Sequence, residues 1–408
     1  MYDLTWVNEF VEKVKPYIYV REMDNVLILI PNQVYKLNQT GVALLGFLVK
    51  GHSIEEFLST VGDTPKKRRE IHYFFCDLRA AVSGCLRENE SREAVAYYQY
   101  NGTFNEYPVL SELAVTYRCN IRCNFCYVGD RQYGELSTSD AKKILYKIVH
   151  EAQVPSVSFT GGEPMLRKDI GELVAYASGI GMWTNLITNG VLLTSHNVRQ
   201  LKSAGLSSAQ VSIEGPNASV HDGITGVPGS FEKTLKGISL LKDASIPVHT
   251  NTTVSQDNCV HLEEIVSLVS RLGLKRLSMN LLIPCGTAHN KQELWVSYSE
   301  IGEYVINLKK HAEERGVTFL WYSPVPMCLF NPMAHGLGNK SCAAITGLLS
   351  IDPLGHIIPC SSWRMPVGSL LRERFKDIWQ STMLMYFKNI EYAPDACHEC
   401  LDFDACKG

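Results

Sequence analysis

At 408 residues with 45% hydrophobic content, the chain is long enough for two or three domains with buried cores. A formal charge of −3 gives no electrostatic case for nucleic acid or an anionic membrane surface, and no apolar run reaches transmembrane length. The opening Met1-Tyr2-Asp3-Leu4 is acidic and mixed, unlike a secretion signal, so the 13 cysteines point to metal sites in a reducing cytoplasm and not to a disulfide framework.

In chain order, the first predicted elements are short strands at Ile18–Val20, Val26–Ile30 and Val34–Leu37, the last two joined by a Pro31-Asn32-Gln33 turn, which together read as a hairpin. Asn38 can cap a helix carrying Val42, Leu44, Leu45, Phe47 and Leu48 that stops at Gly51. Ser53 with Glu56 is a capping-box pattern for a second helix, and a third runs from Pro65 to Ala81 with Ile71, Phe74, Phe75 and Leu78 on its apolar face. Three strands followed by three helices make a winged-helix-like α+β unit over residues 1–90. The polar stretch that follows is rich in Glu, Arg, Asn and Tyr and reads as a linker over 91–108.

From Leu113 onward strand and helix alternate. Strands are predicted at Leu113–Thr116, Val157–Thr160, Asn185–Thr188, Ala209–Ile213, Val248–Val254 and Arg276–Leu282, each followed by a helix. Six βα units in succession over 109–320 predict a partial (β/α)6 parallel barrel with outer helices, whose site lies at the C-terminal strand ends. Just past the first strand stands Tyr117-Arg118-Cys119-Asn120-Ile121-Arg122-Cys123-Asn124-Phe125-Cys126-Tyr127, with cysteines spaced CxxxCxxC. Three thiolates in so short a loop can hold an iron–sulfur cubane and leave one iron free for the amine and carboxylate of a small molecule. Zinc needs a fourth ligand and favours paired CxxC units, and a disulfide reading fails because three is odd and the spacing tight.

This loop resembles the signature of the radical S-adenosylmethionine (SAM) superfamily, including the aromatic Phe125 before the last cysteine. The resemblance implies a [4Fe–4S] cluster on Cys119, Cys123 and Cys126 whose open iron binds SAM, and reductive cleavage of SAM to a 5′-deoxyadenosyl radical. Gly161-Gly162-Glu163-Pro164, at the second strand end, matches that family's GGEP motif, whose backbone and acidic residue take the SAM amine. Ser212 and Glu214 stand where the family has Ser-x-Asp-Gly for the ribose and methionine portions, with Glu replacing Asp. Thr225 stands where many relatives have an arginine for the SAM carboxylate, so that contact has to come from elsewhere. Thr188, Asn189, Asn251 and Thr252 sit at strand ends and either line the pocket or satisfy backbone groups. His221 reads as a packing or loop residue.

Two further resemblances flank the barrel. Asp24–Gly41 and Gly51–Glu56 resemble the PqqD-like peptide-recognition domain, implying capture of a precursor peptide's leader on residues 1–90 by strand addition. Cys342, Gly355, Cys360, Cys397, Cys400 and Cys406 resemble the SPASM extension over 321–408, which implies one or two auxiliary iron–sulfur clusters. Cys328, Cys342 and Cys360 are then expected on one cluster and Cys397, Cys400 and Cys406 on the other, with a zinc ribbon as the alternative for Cys397 and Cys400. Cys76, Cys85, Cys259 and Cys285 fit no pattern and read as apolar packing, although Cys285 could face the barrel mouth.

Joined, these parts describe a cytoplasmic radical SAM maturase that modifies a ribosomally made peptide by hydrogen abstraction and forms a thioether or other crosslink. An electron donor such as flavodoxin or ferredoxin is implied, with no nucleic acid and no membrane partner. The alternatives are a radical SAM enzyme for a folded protein or a small molecule such as a tetrapyrrole, or a non-catalytic iron–sulfur protein.

Overall fold

A computed structural model describes residues 2–83, 105–129 and 131–407. The chain divides into two compact units, residues 1–109 and 110–408.

The first unit opens with a helix not anticipated above, α1 (Thr5–Val14), whose Val7, Val11 and Val14 recur at helical spacing and are buried with Leu4. The expected strands follow as β1 (Ile18–Arg21), β2 (Val26–Leu29) and β3 (Gln33–Lys36). They form one antiparallel meander, β1-β2-β3, and not a single hairpin. β2 is buried at every position, whereas Gln33 and Lys36 at the two ends of β3 are exposed. Helix α2 (Gln39–Val49) begins where the Asn38 side chain accepts the Gly41 amide at 2.7 Å. Helix α3 (Ile54–Val61) carries the complete Ser53/Glu56 capping box, and α4 (Pro65–Val82) starts on Thr64 with Pro65 in its first turn. Leu27, Leu45, Ile54, Phe75 and Leu78 join these elements in one core. Beneath the β1–β2 turn, Arg21 and Asp24 form a buried ion pair at 2.8 Å. Arg21 also donates to the Pro108 and Tyr107 carbonyls at 2.7 and 2.9 Å, and Asp24 accepts the Glu106 amide at 2.9 Å. Most of the expected linker lies outside the described residues; its last part, 105–108, is held by this pair.

In the second unit six parallel strands stand in chain order: β4 (Leu110–Thr116), β5 (Ser156–Gly161), β6 (Trp183–Thr188), β7 (Ser208–Ser212), β8 (Val248–Val254) and β9 (Arg276–Leu281). The intervening helices are α5 (Thr138–His150), α6 (Ile170–Gly179), α7 (Ser195–Ser203), α8 (Ala218–Thr225), α9 (Ser230–Asp243) and α10 (Leu262–Arg271). Along β6 burial alternates, with Thr184, Leu186 and Thr188 buried and Trp183, Asn185 and Ile187 partly open. On the open face Asn185 donates to Ser158 at 3.2 Å and accepts from Ser208 at 2.8 Å. Asn251 likewise donates to Asn280 at 2.8 Å. A closed (β/α)8 barrel fills its interior with branched aliphatics; this one presents amides and hydroxyls, which need solvent or a polar guest.

The sheet runs on beyond those six strands at both edges. After α11 (Ile301–Glu314), β10 (Thr318–Trp321) pairs parallel to β9. At the other edge β11 (Leu348–Ile351) pairs parallel to β4, and β12 (His356–Ile358) and β13 (Gly368–Ser369) continue antiparallel. The cysteine-rich C-terminal stretch is thus hydrogen-bonded to the barrel's first strand. Among the described residues no helix is long and apolar enough to cross a membrane.

Candidate active site

The CxxxCxxC loop leaves the end of β4 and is held from two sides. The α8 end accepts two of its amides, Arg122 to the Thr225 carbonyl at 2.8 Å and Asn124 to the Ile224 carbonyl at 3.0 Å. On the other side the Thr287 amide donates to the Cys126 carbonyl at 2.9 Å and the Thr287 hydroxyl to that of Asn124, also at 2.9 Å. Close approach there depends on Gly286, with φ +55°, since a Cβ on it would lie 2.2 Å from the Cys126 carbonyl oxygen. Phe125 packs against Leu282, Ala288 and Leu294, which turns the tip of the loop toward the sixth strand end.

Cys119, Cys123 and Cys126 line one cavity of about 310 Å³. Of the other expected cofactor residues, Phe125, Gly161, Gly162, Thr188, Asn189, Ser212, Glu214 and Asn251 line the same cavity. Glu163 and Pro164 do not. Glu163 is fully buried behind the wall, where Thr188 and Met165 donate to one oxygen at 2.7 and 3.0 Å and the Asn189 amide to the other at 2.8 Å. The structure therefore gives Glu163 the work of holding Thr188 and Asn189, and Asn189 in turn directs its side-chain amide at the Cys119 sulfur (3.8 Å) and the side-chain Oδ1 of Asn120 (2.9 Å). The two glycines let β5 meet β4: a Cβ on Gly161 would lie 2.0 Å from the Thr116 carbonyl oxygen, and one on Gly162 2.1 Å from that of Arg118.

Burial raises the carboxyl of Glu214 to about 8, partly offset by the Thr253 amide that donates to it at 2.9 Å. His221, expected as a packing residue, lies on the cavity wall in α8 and accepts the Glu214 amide at 3.2 Å. Burial lowers it to about 4, so it stays neutral and keeps that acceptor. Thr225 is buried against Ser230 at 2.7 Å. Among the described residues the cavity's one cation is Arg131, which donates to the Ile121 carbonyl and lowers the thiols of Cys119 and Cys123 against the larger effect of their burial. No motif marks Arg131 in the sequence; only the path of the loop brings it here. Cys285, read above as able to face the barrel mouth, lines the cavity; Glu112, Gln210, Thr253, Asn280, Ser361 and Ser362 also line it and were not anticipated, because they come from five separate segments.

These residues fit a cluster. Buried thiols resist ionisation, and bound iron removes that cost by holding them as thiolates. Among the described residues no three His, Cys, Asp or Glu side chains are grouped closely enough to hold a single metal ion; a cubane takes its thiolates on separate irons, which suits three thiols spaced about a cavity.

In the C-terminal stretch Cys342 and Cys360 lie near enough for each to act on Tyr392, and burial pushes the Cys360 thiol up to about 11. The amide of Met327, the residue before Cys328, donates to the Cys406 sulfur at 3.3 Å. Cys397 and Cys400 are joined by a backbone hydrogen bond of 3.1 Å at the turn after a short helix. Elsewhere, Cys259 is buried and donates to the Gln256 carbonyl, Cys76 contacts His72 at 3.6 Å, and Cys85 lies outside the described residues.

Comparison with known proteins agrees with this geometry. Residues 113–269 match the radical SAM superfamily, and residues 342–401 match SPASM, described as an iron–sulfur cluster-binding domain. An AdoMet-dependent heme synthase of Oleidesulfovibrio alaskensis is 31% identical over 72% of this chain and 80% of its own length. A PqqA peptide cyclase of Bradyrhizobium diazoefficiens is 28% identical over 74% and 81%. The crystal structure of Streptococcus suis SuiB bound to precursor peptide SuiA shares the fold, with a TM-score of 0.72 over 96% of this chain and 93% of that one at 17% identity. The chain therefore belongs to the radical SAM superfamily and carries a SPASM domain, so that it is an enzyme using a [4Fe–4S] cluster with SAM and auxiliary iron–sulfur clusters.

Proposed function

We propose that this enzyme modifies a ribosomally made precursor peptide, with residues 1–90 holding the leader, 91–108 as linker, 109–320 as the reacting barrel and 321–408 carrying the auxiliary clusters. The observation that carries the reading is β3. It is the outer strand of a three-stranded sheet, no strand pairs with its free edge among the described residues, and its terminal side chains are exposed. An extended leader can add there through backbone hydrogen bonds.

Cys119, Cys123 and Cys126 would hold the cluster, with Gly161, Gly162, Thr188, Asn189, Ser212, Glu214 and Asn251 around SAM. When bound, these groups supply a 5′-deoxyadenosyl radical that removes a hydrogen atom from the substrate. The protein's part is to orient the substrate and exclude water. Its polar inner face, with Gln210, Asn251 and Asn280 on the cavity wall, offers donors and acceptors suited to peptide amides. Cys342, Cys360, Cys397, Cys400, Cys406 and Cys328 would hold the auxiliary clusters, and the product is a thioether or other crosslink.

The heme synthases among the relatives favour a second reading, a tetrapyrrole substrate. Tetrapyrroles carry several carboxylates, and among the described residues the cavity offers them one cation, Arg131, beside the carboxylate of Glu112, which makes it poorly suited to them. The test is to tile synthetic peptides over the short reading frames flanking the gene. Their binding to the full chain is measured, and the reconstituted enzyme's products are weighed for the loss of two hydrogens that a crosslink brings. Deoxyadenosine formation with no peptide bound or altered would sink the proposal.

A further inference from the structure

One carboxylate on the cavity wall has no part in holding the cluster loop or the strand ends. Glu112 lies in β4, four residues before Thr116, which places it roughly 13 Å down the strand at about 3.3 Å per residue. It nevertheless lines the same cavity as the three cysteines. Its Oε1 accepts the hydroxyl of Ser350, its register partner in β11, at 2.8 Å, and also the hydroxyl of Ser361. Both hydroxyls fall on the same oxygen. They fix the plane of the carboxylate and leave Oε2 without a protein partner among the described residues.

No lysine or arginine pairs with Glu112 among the described residues, and the cavity's one cation, Arg131, is engaged with the Ile121 carbonyl. A half-buried, oriented carboxylate with one free oxygen and no countercharge favours a cationic donor, because charge-assisted hydrogen bonds are roughly twice as strong as neutral ones. We propose that Glu112 is a specificity subsite that takes the positively charged side chain, lysine or arginine, of a residue in the substrate segment entering the barrel. The proposal rests on the peptide reading above. Its depth below the strand ends suits a long side chain reaching down from a backbone held near the cysteine loop.

The test uses the anaerobically reconstituted full chain and acetyl-capped pentapeptide amides whose central residue is fixed in turn as Lys, Arg, norleucine, Ala or Glu, with uncharged residues randomised around it. Peptides retained by the protein are counted by mass spectrometry at two salt concentrations. The expected result is retention of the Lys and Arg sets over norleucine by about tenfold, corresponding to roughly 1.4 kcal/mol, falling as salt rises. Glu112→Gln should bring the ratio to near one, and Glu112→Asp should keep its direction at reduced size; iron content and melting temperature identify a variant that has failed to fold. Retention without a preference for cations, or a preference that survives Glu112→Gln while Glu112→Asp behaves as wild type, overturns the subsite and leaves the peptide reading standing. Retention of no set overturns the subsite, while the peptide reading stands or falls on the leader-binding test above.

Discussion

The Arg21–Asp24 pair should be among the costliest places to alter in the first unit. Arg21 is 0% and Asp24 3% exposed. Two guanidinium nitrogens bond the Asp24 carboxylate at 2.9 and 2.8 Å, and the same group satisfies the carbonyls of Pro108 and Tyr107. Asp24→Asn leaves a buried guanidinium with no countercharge, a change that costs about 3–5 kcal/mol. Arg21→Met exposes the opposite fault and also orphans two carbonyls, at about 1–3 kcal/mol each. The double variant Arg21→Met with Asp24→Asn removes both charges, so its cost should fall well below the sum of the singles, with the orphaned carbonyls as the main residue. Denaturant unfolding of the full chain, followed by a probe in the first unit, measures all three. A cost under about 1 kcal/mol for Asp24→Asn, or strictly additive singles, would refute the reasoning. The outcome bears on function because residue 109 is followed directly by β4, whose end carries the cysteine loop.

Three further outcomes follow from the site. Replacing Cys119, Cys123 and Cys126 together by serine should remove about four irons per chain and all SAM cleavage while leaving the remaining iron in place, as read by iron analysis and deoxyadenosine formation. Gly162→Ala should destabilise the chain by about 1–3 kcal/mol, because its Cβ would meet the Arg118 carbonyl oxygen at 2.1 Å and push β5 from the cysteine loop; melting with and without reconstitution tests this. Burial holds Glu214 at about 8 against an ordinary 4.5, so between these values the folded chain keeps a proton that the unfolded chain has lost. Stability of the metal-free protein should therefore fall as pH rises through this window, by at most about 1.4 kcal/mol per pH unit, and Glu214→Gln should flatten that slope in denaturant titrations at pH 5 and 8.

Elements whose cause is local were legible in the chain. Asn38, the Ser53/Glu56 box and Pro65 start their helices through bonds or ring constraints within a few residues, and the six strands from β4 to β9 announced themselves by apolar runs between turn residues. The CxxxCxxC spacing likewise placed three thiols on one loop before any contact was known, because a loop of eight residues cannot scatter them. Helix α1 escaped notice because its apolar spacing is short and lacks a side-chain cap.

What depends on distant segments meeting was not legible. Glu163 and Asn189 are 26 residues apart, and whether a carboxylate faces a cavity or holds its wall is settled by which donors the neighbouring strand ends present. Arg131 reaches the site through the path of a loop, and Glu112 gains its serines only because β11, 238 residues on at Ser350, pairs with β4. Sequence thus determined the chemistry available: three thiols, a glycine turn, a barrel of alternating strands and a cysteine-rich tail. Tertiary structure decided which side chains share the cavity, since hydrogen-bond register and burial act across hundreds of residues and leave no periodic trace in any one stretch.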